Sequence, residues 1–219
     1  MNKQEFKNSI YQEIANVAKA LANPYRLRIL NLISQDDYSV EQIADEIGVS
    51  IANASQHLQV LKKVKLLKTT KNGHYVIYSL SNKNVYTLWN SLQSFSLQNS
   101  LEIQATLQNF KQEKFAAVSS INIDEIVANN NFDDLYFLDV RPEKEFKKEA
   151  IANAKSIPIE LLKDNITRLP KNQQIIVYCR GPLCVFADEA VQYLQENGYD
   201  AIRLQEEVLE WKQKGLPVN

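Results

Sequence analysis

Ile175-Ile176-Val177-Tyr178-Cys179-Arg180-Gly181-Pro182-Leu183-Cys184-Val185 holds both cysteines of a 219-residue chain. Its first four residues form a short apolar run rich in β-branching, which predicts a buried strand. Beyond Val185, the spacing of Ala187, Ala190, Val191 and Leu194 predicts a helix, with Gly198 as its stop. Cys179 is therefore expected at the carboxyl end of a strand, in a tight loop facing a helix N-terminus. An open α/β sheet keeps its ligand crevice there. Loop amides and the positive helix end favour an anion. The expectation is a Cys179 thiolate of lowered pKa, with Arg180 as a fixed positive charge beside it. Such a cysteine suits accepting sulfur and carrying it as a persulfide. An inert core thiol is the plainer alternative.

Outward from this loop, strands and helices alternate. Tyr136-Phe137-Leu138 and Asp200–Leu204 predict strands, while Asp124–Val127, Pro142–Phe146, Ile159–Leu162 and Glu206–Lys214 begin or span helices. That alternation implies a mostly parallel sheet covered on both faces.

Residues from about Ile123 to Asn219 resemble a single-domain rhodanese, a sulfurtransferase-type module. The resemblance rests on Phe137-Leu138-Asp139-Val140-Arg141-Pro142-Glu143-Lys144-Glu145-Phe146, on Ile157-Pro158, on Val177-Tyr178-Cys179-Arg180, and on Trp211 with Gly215-Leu216-Pro217-Val218. It implies that Cys179 is the persulfide-forming catalytic cysteine. It also implies that Arg180, Gly181, Pro182, Leu183 and Cys184 complete the active-site loop. The chain departs from the family in three places. Cys184 stands where an Arg is common. Glu149–Ala154 lacks the family's His and glycines. Glu206-Glu207 replaces a Gly-Gly, and two carboxylates near the pocket would repel an anionic donor such as thiosulfate. Cys184 is a candidate resolving thiol, able to close a disulfide or polysulfide bridge with Cys179.

The N-terminal half is different in kind. The first 118 residues carry a net charge of +4 and the remainder −5. Between Glu46 and Glu102 there is no acidic residue, yet six lysines: Lys62, Lys63, Lys65, Lys68, Lys71 and Lys83. A basic stretch without acids fits a polyanionic partner. Residues 3–21 predict a helix, and Asn23-Pro24 starts a second. Ser39-Val40-Glu41-Gln42 has capping-box spacing for a third. Gly48-Val49 turns the chain, and Ser50 caps a fourth helix, 51 to about 64. On it Ala54, Leu58 and Leu61 face the core. Ala52, Gln56, Gln59 and Lys63 lie opposite, flanked by Asn53 and Ser55, and are placed to reach base edges in a major groove. Asn72-Gly73 between two β-rich runs signals a hairpin, a wing whose Lys68, Lys71 and His74 approach phosphates.

These pieces resemble the ArsR family of winged-helix repressors over about residues 8–110. The carrying stretches are Leu21–Leu30, Ser55–Leu61 and Gly73–Leu80. Lys65 stands where the family usually has Gly, so a left-handed residue there would be strained. The resemblance implies a homodimer on double-stranded operator DNA, joined through its first and last helices. The apolar row Val85, Leu88, Trp89, Leu92, Phe95, Leu101, Ile103, Leu107 and Phe110 independently asks for a helix partner. Many relatives sense metals, but this half has no cysteine and the chain has only His57 and His74. A soft-metal site cannot be built from that set, and no cofactor is expected. No apolar run suits a membrane span, and a cytoplasmic setting with reduced thiols is expected.

Sequence thus predicts two domains, a mainly α winged helix-turn-helix (1–110) and an α/β rhodanese-like sheet (123–219), with a linker at 111–122. The expected function is a transcriptional regulator, of repressor type, whose operator affinity follows the sulfur state of Cys179. Persulfide, polysulfide or thiosulfate is the small partner. The alternatives are a sulfurtransferase that the winged helix merely localises, and an inert rhodanese-like support.

Overall fold

The computed structural model describes residues 1–115, 118–129 and 132–219. They cluster into two units, Met1–Leu101 and Glu102–Asn219.

In the first unit α1 (Lys3–Leu21) opens on a capping box in which Asn2 Oδ1 accepts the Gln4 and Glu5 amides. α2 (Pro24–Gln35) places Pro24 in its first turn, where its missing amide costs nothing. A short β1 (Tyr38–Ser39) leads into α3 (Val40–Ile47), which carries the predicted box: Gln42 donates its amide to Ser39 Oγ and takes that of Ser39 in return. The chain turns at Gly48 into α4 (Ile51–Lys63), capped by Ser50. The predicted inward row Ala54, Leu58 and Leu61 is fully buried among Ile29, Leu30, Ile33 and Ile43. β2 (Leu67–Asn72) and β3 (Tyr75–Leu80) form the wing, with β3 central in the order β1-β3-β2. Asn72 pairs with Tyr75, so the hairpin loop is only Gly73-His74, and Gly73 supplies the positive φ of 59° at its first position.

The apolar row read as one pattern over 84–110 is two helices, α5 (Lys83–Asn99) and α6 (Leu101–Lys114). Ser100 between them is extended. The cause is local: Asn99 Nδ2 bonds the Phe95 carbonyl and Ser96 Oγ the Leu92 carbonyl, side chains competing with the helix ladder at its end.

The second unit continues from α6 with β4 (Ser120–Ile121), α7 (Ile123–Asn129), β5 (Leu135–Asp139), α8 (Glu143–Lys148), β6 (Lys155–Ser156), α9 (Leu162–Asn165), β7 (Gln174–Tyr178), α10 (Phe186–Glu196), β8 (Ala201–Leu204) and α11 (Val208–Gln213). The sheet order is β4-β8-β7-β5-β6, with every neighbouring pair parallel. β7 lies in the middle and is buried on both faces. Ile175, Val177 and Cys179 pack with Ala187, Val191 and Leu194 of α10, whereas Ile176 and Tyr178 pack with Ile123 and Trp211. Burial on both sides is why β7 reads as a continuous apolar run.

The stretch expected as a join, 111–122, holds the last turn of α6 and, in β4, an edge strand of the sheet. The soft part expected at 116–120 lies partly outside the described residues, at Ala116-Ala117; so do Asn130-Asn131, expected to end α7. The helix expected from Ile159 is three short pieces, 3-10 turns at 159–161 and 166–168 around α9.

Candidate functional site

Cys179 directly follows β7, and the chain returns through Gly181, whose φ of 74° only glycine adopts without strain, to α10. α10 has no side-chain cap. Its first amides serve the cysteines instead: Phe186 N–H bonds the Cys184 sulfur and Ala187 N–H the Cys179 sulfur. The predicted strand, loop and helix N-terminus are therefore assembled, and the two sulfurs lie within hydrogen-bond reach of each other.

The ionisation differs from the sequence reading. Cys179 is only 1% exposed, and burial first, then the hydrogen bond its S–H gives to Cys184, pushes its pKa well above the ordinary thiol value. Cys184 is half-buried, and the same bond from Cys179, then the Arg180 and Phe186 amides and the Arg180 charge, bring it down to about 7 against the opposing effect of burial. The direction at Cys179 is therefore opposite to the lowered pKa expected from sequence, and it is Cys184 that is brought down. The physical reason is depth. Both sulfurs take an amide from the start of α10, but at the strand end under the loop burial outweighs it. The single Cys179 S–H is shared between the Cys184 sulfur and the Cys184 carbonyl, whose oxygen lies 3.5 Å away.

Arg180 is beside the sulfurs as expected, but its charge is matched. Its Nε meets both Glu145 oxygens at 3.0 and 3.1 Å, and its Nη2 also pairs with Glu145. Glu145 is fully buried on α8 and lies 4.0 Å from Arg141, which forks onto Asp139 at 2.7 Å. Of the two residues expected near the pocket, Glu207 lays its stem against the loop, where a side chain at Gly181 would start 3.7 Å from Glu207 Cβ, while its carboxylate takes part in the capping box of α11. Glu206 turns away to accept the Ile123 amide at 3.1 Å, and burial raises its pKa. Pro182 and Leu183 form the outer side of the loop, with Leu183 exposed. At the departing Glu149–Ala154 segment Asn153 adopts φ 65°, a conformation asparagine tolerates better than most residues.

Sequence reasoning missed Arg203. It is buried on β8 and donates from Nη2 to the Gly181 carbonyl at 3.0 Å and the Cys184 carbonyl at 3.4 Å. A lone arginine inside the apolar strand Ala201–Leu204 was the available signal. Glu145 was quoted only as part of a family motif.

The second candidate surface is α4 with the wing. Ala52, Asn53, Gln56, Gln59 and Lys63 are exposed on one side of α4, as are Lys68, Lys71 and His74 on the wing. Ser50 is exposed, but its Oγ already accepts the Asn53 amide at 3.2 Å, and Ser55 is half-buried. His57 stacks on Tyr25 with centroids 5.5 Å apart, and burial, then Arg26, lowers its pKa. Ile51 at the start of α4 and Tyr75 on the wing are exposed apolar residues that the periodicity did not single out.

Known proteins resemble both halves. Residues 21–70 match the helix-turn-helix domain family and residues 122–214 the rhodanese-like domain family. The HTH-type transcriptional regulator Rv0324 of Mycobacterium tuberculosis is 31% identical over 213 residues, covering 97% of this chain and 93% of that protein. A sulfurtransferase of Allochromatium vinosum is 26% identical over 87 residues, 39% of this chain and 79% of that protein. Among solved structures, the homodimeric winged helix-turn-helix fragment Mb0332 of Mycobacterium bovis is 31% identical over 45% of this chain and 92% of its own, with a TM-score of 0.43. With a winged helix ahead of a rhodanese-like sheet, and likeness to one regulator along nearly its whole length, the chain belongs to the ArsR-type transcriptional regulators that carry a rhodanese-like domain.

Proposed function

We propose that this regulator is a homodimer that binds double-stranded operator DNA, and that its affinity follows the redox and sulfur state of the Cys179–Cys184 pair. The observation that carries the reading is the pair itself: two free thiols in one loop at an uncapped helix N-terminus, with Cys179 Sγ 3.5 Å from the Cys184 carbonyl. The winged-helix half contains no cysteine, so a sulfur signal has to enter here.

The chemistry follows from the environments. Cys184, as thiolate, attacks the outer sulfur of an organic persulfide or polysulfide; the S–S bond breaks and the carrier leaves as a thiol. Cys179 then attacks the Sγ of Cys184 itself; the bond from that Sγ to the outer sulfur breaks, the Cys179–Cys184 disulfide forms, and the outer sulfur departs as hydrogen sulfide with the Cys179 proton. The protein thiols lose two electrons and the donor's sulfane sulfur gains them. Because the Arg180 charge is paired with buried Glu145, an anionic donor such as thiosulfate is disfavoured. That weighs against the rival reading, a sulfurtransferase turning over thiosulfate.

On the DNA side, exposed Asn53, Gln56 and Gln59 suit base edges, an amide paired with adenine being worth about 1–3 kcal/mol. Lys68 and Lys71 suit phosphates, which add affinity but not sequence. Dimerisation is supported by apolar faces left bare within the chain, Phe6, Ile10 and Ile14 on α1, with Leu88, Leu92 and Phe95 on α5.

The test is binding of the full-length protein to a duplex selected from a random library by its reduced form. Polysulfide treatment is expected to weaken binding at least about tenfold, a coupling of roughly 1.4 kcal/mol, and Cys184→Ser to abolish the response. Equal affinity before and after treatment, with the disulfide confirmed by mass, overturns the reading.

A further inference from the structure

We propose that Arg203, Asp188 and Lys111 are positioning residues that pass the state of the cysteine loop to α6. The inference rests on the thiol-pair reading and adds the route by which a change at sulfur leaves the loop.

Three contacts lie in series within the second unit. Arg203 Nη2 holds the loop by the Gly181 and Cys184 carbonyls. Arg203 Nε stands 3.4 Å from Asp188 Oδ2. Asp188 Oδ1 accepts from Lys111 Nζ at 2.9 Å. Asp188 is in the first turn of α10 with its side chain 4% exposed, and Lys111 in the last turn of α6 with 30% exposed. The middle contact is loose: Asp188 Oδ2 and Arg203 Nε are both buried, and neither has a hydrogen-bond partner among the described residues. Two buried groups of opposite charge held together without a bond form a link that a small movement can break.

The loop supplies that movement. The Cys184 carbonyl now takes two donors, the Cys179 S–H and Arg203. Forming the disulfide removes the S–H and draws the sulfurs to about 2.05 Å. Cys179 is fixed at the end of the central strand, so Cys184 moves. Its carbonyl, left with Arg203 alone, takes the guanidinium with it and opens the gap to Asp188. A buried carboxylate that loses one of two cations leans on the other, so Lys111 is held harder. α6 buries none of its own residues, and Lys111 ties its last turn to α10. α6 follows α5 after the single residue Ser100, so a change in α6 is felt next to the winged-helix unit along the chain.

Hydrogen exchange of the full-length protein over residues 102–114, with and without polysulfide, tests this. In the unaltered chain oxidation is expected to slow exchange in the last turn of α6 by roughly threefold or more. In Lys111→Met the disulfide still forms, seen as the loss of two alkylatable thiols, but exchange no longer changes. Lys111→Arg restores the response, which a lost packing contact alone would not do. If Lys111→Met keeps the full oxidation-dependent change, or if the unaltered chain forms the disulfide with no change in α6, the relay is wrong while the thiol pair stands. If no disulfide forms in the unaltered chain, the thiol-pair reading and the relay fall together.

Discussion

The two cysteines occupy unlike positions five residues apart. Cys179 is at the end of a buried strand, and Cys184 is where the first turn of α10 and the Arg180 amide converge. Alkylation of the reduced protein is therefore expected at Cys184 first. Its rate rises about tenfold per pH unit up to about 7 and levels off above, because the thiolate is the reactive form. Cys179 in a Cys184→Ser chain reacts far more slowly at the same pH, and peptide mass spectrometry separates the two. Comparable rates at both sulfurs would return the nucleophile's role to Cys179. The sequence showed the strand, the loop and the helix N-terminus, since each has a local pattern. It did not show which sulfur is brought down. That depends on depth beneath the loop, and on Glu145 and Arg203 arriving from α8 and β8, far away along the chain.

At the scale of elements, patterns with a local cause were legible. The Ser39–Gln42 box, the Ser50 cap, the inward row of α4 and the Gly73 hairpin all stand where their residues put them. Elements that exist only through distant partners were not. β4 and β6 are two residues each and owe their geometry to β8 and β5. The break at Ser100 was hidden because apolar spacing continues across it. Lys65, flagged from sequence as a strained residue after α4, indeed takes φ 60°, donating its amide to Lys62. Lys65→Gly should raise stability by about 0.5–1 kcal/mol, since glycine takes that conformation freely but loses more entropy on folding. Chemical denaturation of the two chains checks it. An unchanged or lowered midpoint would mean that the lysine's own contacts outweigh the strain.

For the molecule as a whole, one chain carries a basic winged-helix unit and an acidic rhodanese-like unit, and each leaves something undone. The winged-helix unit exposes Phe95 at 65% on α5, together with Leu88 and Leu92, while Val85, Tyr86 and Trp89 of the same helix are buried. Phe95→Glu should shift the protein to monomer at micromolar concentration in sedimentation while leaving its helix content intact. It should weaken binding to a two-fold duplex site by more than about a hundredfold, because half-sites are then gripped singly. A variant that sediments like the parent would place the mate of this face elsewhere. The sheet unit raises a matter of dissection. β4 is drawn from the stretch just after α6 and shields the open side of β8, where Ser119 and Ile121 carbonyls take the Arg203 and Gln205 amides. A fragment cut to begin at residue 123 would lose that shield and present raw strand to its fellows, an invitation to clump. Anyone isolating the rhodanese-like unit for crystallisation should keep those few upstream residues.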